Sequence, residues 1–147
     1  MKSIYAVHPL ERFVAILGAA ACLLITIVIS RSVSAYQAMW PLPGLYFIEI
    51  ASLGVLSALA VIRGDPAGRV IVWGAVGIFA AFCILGAFSV GFSYLPVTFL
   101  FAAVSISSDA RNKQHIAPHL AVCLVAALAQ AALMLAAIRL LDSGGVF

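Results

Sequence analysis

The sequence predicts an all-α fold, an integral membrane bundle of about five transmembrane helices. Three observations carry that expectation. Of the 147 residues, 65% are hydrophobic and 9% are charged, against about 25% charged in ordinary soluble domains. Mean hydropathy is +1.21, and a soluble chain this short has too little interior to hide so much apolar surface. Several apolar runs also approach the length of about 20 residues that crosses a bilayer. The longest polar connection is about a dozen residues, so residues 1–147 read as one transmembrane domain.

The first span covers residues 13–30, with Lys2 and Arg12 before it and Arg31 after it. Val33-Ser34-Ala35 has the small-residue spacing of a signal cleavage site. The long apolar stretch and the position of Arg31 favour a retained helix instead. Residues 31–43 form a connector in which Tyr36, Gln37, Met39 and Trp40 suit the membrane–water interface. The stretch Trp40-Pro41-Leu42-Pro43-Gly44-Leu45-Tyr46-Phe47-Ile48-Glu49 then breaks the chain and starts a new helix.

The second span covers residues 44–62 and places Glu49 about five residues inside it. Gly64, Pro66 and Gly68 punctuate a tight turn before the third span, residues 70–88. There Gly74, Gly77 and Ala81 fall on one face, which lets a neighbouring backbone come close. The 40 residues from Arg69 to Ser108 are too many for one span and enough for two short ones. The expected turn lies near residues 89–91. A fourth span then covers residues 92–106, with Pro96 in its first turns, where proline is best tolerated. Residues 107–118 are the most polar segment. The fifth span, residues 118–141, is rich in alanine. Ala127 with Ala131, and Ala132 with Ala136, fit either tight helix packing or a generic alanine-rich helix.

Charge orients the bundle. With five spans, Lys2, Arg12, Arg63, Arg69, Arg111 and Lys113 share one side, and Arg31 and Arg139 lie on the other. That six-to-two split places the N-terminus in the cytoplasm and the C-terminus outside. A faint echo links Leu42-Pro43 with Leu95-Pro96, as a duplicated hairpin would.

Glu49 leads the candidates for chemistry, because an ionisable group inside the membrane is costly and needs partners. Arg139, near the outer end of the fifth span, is one candidate partner; Ser93 and Tyr94 are alternative donors. Gln130, near the middle of the fifth span, needs an interhelical hydrogen bond. These five residues, Glu49, Arg139, Gln130, Ser93 and Tyr94, form the candidate intramembrane polar site. Its readings are a helix clamp, a proton- or ligand-coupled site, or a contact to another subunit. His115 and His119 stand four apart near Asp109, but with Pro118 between them and no third ligand they read as solvated residues at a helix start. His8 and Glu11 read the same way.

Other classes are disfavoured. No GxSxG, HExxH, Walker A loop or haem-attachment motif occurs, so no catalytic residue, metal or cofactor is expected. The basic residues flank apolar spans rather than forming an aromatic-laced cluster, so no nucleic acid partner is expected. Cys22, Cys83 and Cys123 form no CxxC and read as small packing residues.

The stretch from Trp40 to Glu49, together with Gly86-Ala87-Phe88-Ser89-Val90-Gly91-Phe92-Ser93-Tyr94-Leu95-Pro96, resembles small uncharacterised multipass proteins of bacterial membranes. The resemblance implies a bacterial cytoplasmic membrane location and no particular activity. The resulting expectation is a non-enzymatic accessory or packing subunit of a larger membrane complex. Its partners would be the lipid bilayer and other membrane subunits or further copies of itself. The alternative is a small oligomeric proton-coupled transporter or channel that uses Glu49.

Overall fold

A computed structural model describes residues 7–34, 42–86, 90–113 and 115–143. The described residues form five α-helices: α1 Pro9–Ser34, α2 Leu42–Arg63, α3 Pro66–Leu85, α4 Leu95–Arg111 and α5 Ile116–Ser143. A short 3-10 turn, Gly91–Tyr94, leads into α4. All five segments are long and apolar enough to cross a membrane. The protein is therefore an all-α, multipass membrane bundle.

Each helix starts and stops for a local reason. Asp65 caps α3 by accepting from the Gly68 N–H, and Pro66 takes the first helical position, where no N–H is missed. Gly64 ends α2 with φ of 65°, a left-handed conformation that glycine adopts freely. Pro96 sits in the first turn of α4, as expected. The reversal between α3 and α4 is tight: the Gly91 N–H donates to the Gly86 carbonyl at 2.9 Å. A Cβ on either glycine would press on the other's backbone.

The helices run longer than the apolar runs that announced them. α1 starts at Pro9 rather than residue 13, because Glu11 finds a partner inside the fold. α4 continues to Arg111 rather than stopping at residue 106. The polar segment is thus helical in its first half and carries Asp109 into the bundle, while Ser107 stays exposed. The interfacial loop with Tyr36, Gln37, Met39 and Trp40, and Ser89 of the expected turn, lie outside the described residues.

Helices α1, α2, α3 and α4 form a ring in which each packs on its two neighbours, and α5 lies outside, almost wholly against α3. The duplicated hairpin is not seen: α2 and α3 pack directly, whereas α4 and α5 barely touch. Phe79 and Phe101 fill the middle of the ring, stacked at 5.9 Å, and Phe82 meets Tyr94 edge-on at 5.6 Å. Cys22, Ile50 and Val97 complete this core.

Small residues set the closest helix approaches. A Cβ on Gly77 would overlap the carbonyl oxygen of Cys123, so α3 and α5 meet backbone to backbone there. Gly74 faces open space instead; of the two glycines, Gly77 makes the contact. On α5, Ala127 and Ala131 lie on the packed side with Cys123, while Ala132 and Ala136 point outward. The outward faces carry Leu24, Ile27, Leu128, Leu133 and Leu140, all more than half exposed. In a multipass protein these faces meet lipid or other membrane helices, not water.

Candidate functional site

Two polar sites stand out among the described residues. The first is the one that Glu49 announced. Glu49 lies seven residues into α2, because that helix starts at Leu42 rather than at residue 44. It therefore sits about 10 Å from that end and about 21 Å from Arg63. Gln130 lies 14 residues into α5, also about 21 Å from the basic end. Equal depth lets the two side chains meet, and the Gln130 Nε2–H donates to Glu49 Oε2 at 3.1 Å. Gln130 is buried and Glu49 is partly exposed.

The other candidates do not join this pair. Arg139 is exposed and lies nine residues beyond Gln130, roughly 13 Å along the helix. That rise takes its guanidinium out of reach and corrects its expected pairing with Glu49. Ser93 is exposed in the 3-10 turn. Tyr94 is fully buried, on the inner side of the ring, where its hydroxyl lies 3.0 Å from Thr26 Oγ1. Thr26 already donates its own hydrogen to the Cys22 carbonyl at 2.8 Å, so Tyr94 is the donor. Tyr94→Phe is expected to lose that one bond and cost about 1 kcal/mol, read as a small drop in the detergent unfolding midpoint.

The second site is absent from the sequence-based expectations. It sits at the basic end and centres on Asp109 of α4, which is fully buried. Its Oδ2 accepts from Trp73 Nε1–H of α3 at 2.9 Å and meets His119 Nδ1 of α5 at 2.6 Å. The Trp73 and His119 rings stack at 6.2 Å, which orients both toward the carboxylate. Arg69 of α3 reaches the other oxygen at 3.9 Å. One side chain on α4 therefore ties together α3 and α5. Beside it, Arg111 donates to Glu11 Oε2 at 2.6 Å and joins α4 to α1.

These contacts correct two readings. His119 is a half-buried partner of Asp109, not a solvated residue, while His115 is exposed as expected. Glu11 is 6% exposed and engaged with Arg111 rather than with water. A signal was present in both cases. Val97, Phe101, Ser105 and Asp109 follow each other at four-residue steps, so Asp109 continues a buried face. Glu11, Ala15, Ala19, Cys22 and Thr26 form a like buried face on α1 at steps of three and four.

Comparison with protein-family models, curated proteins and solved structures gave no match. The chemistry is therefore read from the two sites alone. Among the described residues, no group of three His, Cys, Asp or Glu side chains is placed to hold a metal ion. Cys22 and Cys83 are buried free thiols and Cys123 is half-buried; Cys22 Sγ–H donates to the Ile50 carbonyl at 3.4 Å. The basic-end site can clamp four helices and accept one further donor. The Glu49 site can offer a carboxylate to whatever lies beside α2 and α5.

Proposed function

We propose that the protein is a non-enzymatic accessory or packing subunit of a larger membrane complex in the bacterial cytoplasmic membrane. One observation supports this reading most directly: Glu49 is a partly exposed carboxylate about a third of the way along α2, with one donor among the described residues. Outside that position there is only lipid or another helix. A carboxylate facing hydrocarbon is costly, and a hydroxyl, amide or basic donor from a neighbouring subunit removes the cost. The close-packed ring supports the same reading, since Tyr94 with Thr26, and Arg111 with Glu11, pair between helices inside it. The basic end, with Arg63, Arg69, Arg111 and Lys113, faces the cytoplasm by the positive-inside rule.

The test is the native mass of the complex after gentle extraction from its own membrane. A heteromeric assembly that contains other polypeptides is expected, and Glu49→Leu should release this subunit while lowering its own unfolding midpoint only by the loss of the Gln130 bond, about 1–3 kcal/mol. A monomer or homo-oligomer without other chains would overturn the reading. The same carboxylate favours a second reading, a small oligomeric proton-coupled transporter or channel. That reading expects pH-dependent flux in reconstituted vesicles, abolished by Glu49→Gln with folding intact.

A further inference from the structure

The basic-end site contains an acceptor that none of the described residues satisfies. Asp109 is fully buried, and its Oδ2 takes both Trp73 and His119. Its Oδ1 accepts no hydrogen bond from them. The facing cation, Arg69 Nη1, is 3.9 Å away, beyond hydrogen-bond range. A buried carboxylate oxygen in that state has lost its water and gained no donor.

The space beside it has the size and charge for one kind of group. Asp109 lines a cavity of about 30 Å³ together with Glu11, Asp65, Arg69, Arg111 and Asn112. Three carboxylates thus face two guanidinium groups in the lining, and His119 lies against the far oxygen of Asp109. At roughly 10–15 Å³ for each water-sized body, the cavity admits two or three. An –NH₃⁺ group fits that volume; a trimethylammonium group does not. The cavity also lies at a telling depth. Val7 ahead of α1 and Gly64 between α2 and α3 border it, as does Asn112 just past α4. These positions mark where the apolar spans end, at the level of lipid headgroups.

We propose that this cavity binds a primary ammonium group, presented by the headgroup of an aminophospholipid, with Asp109 Oδ1 as its acceptor. The ammonium supplies the missing donor at Oδ1. The headgroup phosphate stays at the mouth near Arg111, whose side chain is 35% exposed. Discrimination is by methylation: each methyl added to the nitrogen removes a donor and adds bulk the cavity does not accommodate.

The full chain, purified in detergent and stripped of lipid, is offered phosphatidylethanolamine, its N-methyl and N,N-dimethyl forms, and phosphatidylcholine. Retention is read by native mass spectrometry and thermal unfolding. We expect phosphatidylethanolamine to be retained at least about tenfold over phosphatidylcholine, a discrimination that needs only about 1.4 kcal/mol, with a stepwise fall along the series. Asp109→Asn should remove the preference, because its amide oxygen is taken by Trp73 and its NH₂ then faces the cavity. Free ethanolamine that raises the unfolding midpoint as much as the lipid does would place the ammonium on a soluble amine and overturn the lipid source. Equal retention of all four lipids with no ethanolamine effect would overturn the proposal. So would a lipid preference unchanged in Asp109→Asn. The methylation series uses the unaltered protein, so its outcome does not depend on how the variant folds.

Discussion

Gly77→Val is expected to lift α5 off the bundle. The Gly77 position meets the Cys123 carbonyl with no room for a Cβ, and the atoms in the way are backbone, which cannot swing aside. Forcing one methyl group into a packed interface costs about 1–3 kcal/mol, and valine brings three carbons. The remaining ties of α5 are few. It hardly touches α4, and beyond α3 it is held by Asp109–His119 and Glu49–Gln130. Cys123 provides the readout. It is half-buried in the α3–α5 seam, whereas Cys22 and Cys83 are buried elsewhere. Maleimide labelling of Cys123 should speed up at least about tenfold in Gly77→Val. Gly74→Val, where a Cβ meets nothing within 4 Å, should label like the parent. Equal behaviour of the two variants would mean that the close approach does not hold α5.

Asp109→Ala is expected to have the second large effect, and for an electrostatic reason. Removing the carboxylate leaves Trp73 Nε1–H and His119 Nδ1 without their partner and takes a facing anion from Arg69. Breaking a buried charged pair by deleting one member costs about 3–5 kcal/mol, mainly through the groups left behind. That origin makes a second-site prediction. Adding His119→Leu to Asp109→Ala should recover part of the loss, because one stranded group is then gone. Unfolding is followed by Trp73 fluorescence in a Trp40→Phe background, since the chain has two tryptophans. Strictly additive losses in the double variant would show that Asp109 and His119 do not act as a pair.

Composition is enough to reveal the spanning helices, because hydrocarbon imposes one rule on the whole chain: apolar residues for about 20 positions. The break at Leu42-Pro43 and the start at Pro96 are readable for the same local reasons that proline and glycine act anywhere. The partners of the polar residues are not readable in this way. Glu49 stands out in the sequence as needing a donor, but choosing Gln130 over Arg139 depends on where α2 and α5 begin, and errors of two residues shift a side chain by about 3 Å. Asp109 escapes notice for a different reason. Its neighbours Ser107, Ser108, Arg111 and Asn112 make the segment look solvated on average, while helical periodicity hides every fourth residue from that average. Periodicity outranks mean polarity at a helix end, where a buried face continues past the last apolar run.

The seating of α5 against α3 also has a consequence for how the chain is made. The helix that α3 must meet at Gly77 is the last of the five to leave the ribosome. At about 5–20 residues per second, the roughly 60 residues that follow α3 take about 3–12 s to be synthesised. Through that interval the Gly77 groove of α3 is vacant in the bilayer, after α4 has already arrived on its other flank. The nascent chain therefore passes through a four-helix stage with an open seam. In that window, an α5 donated by a second molecule competes with the chain's own.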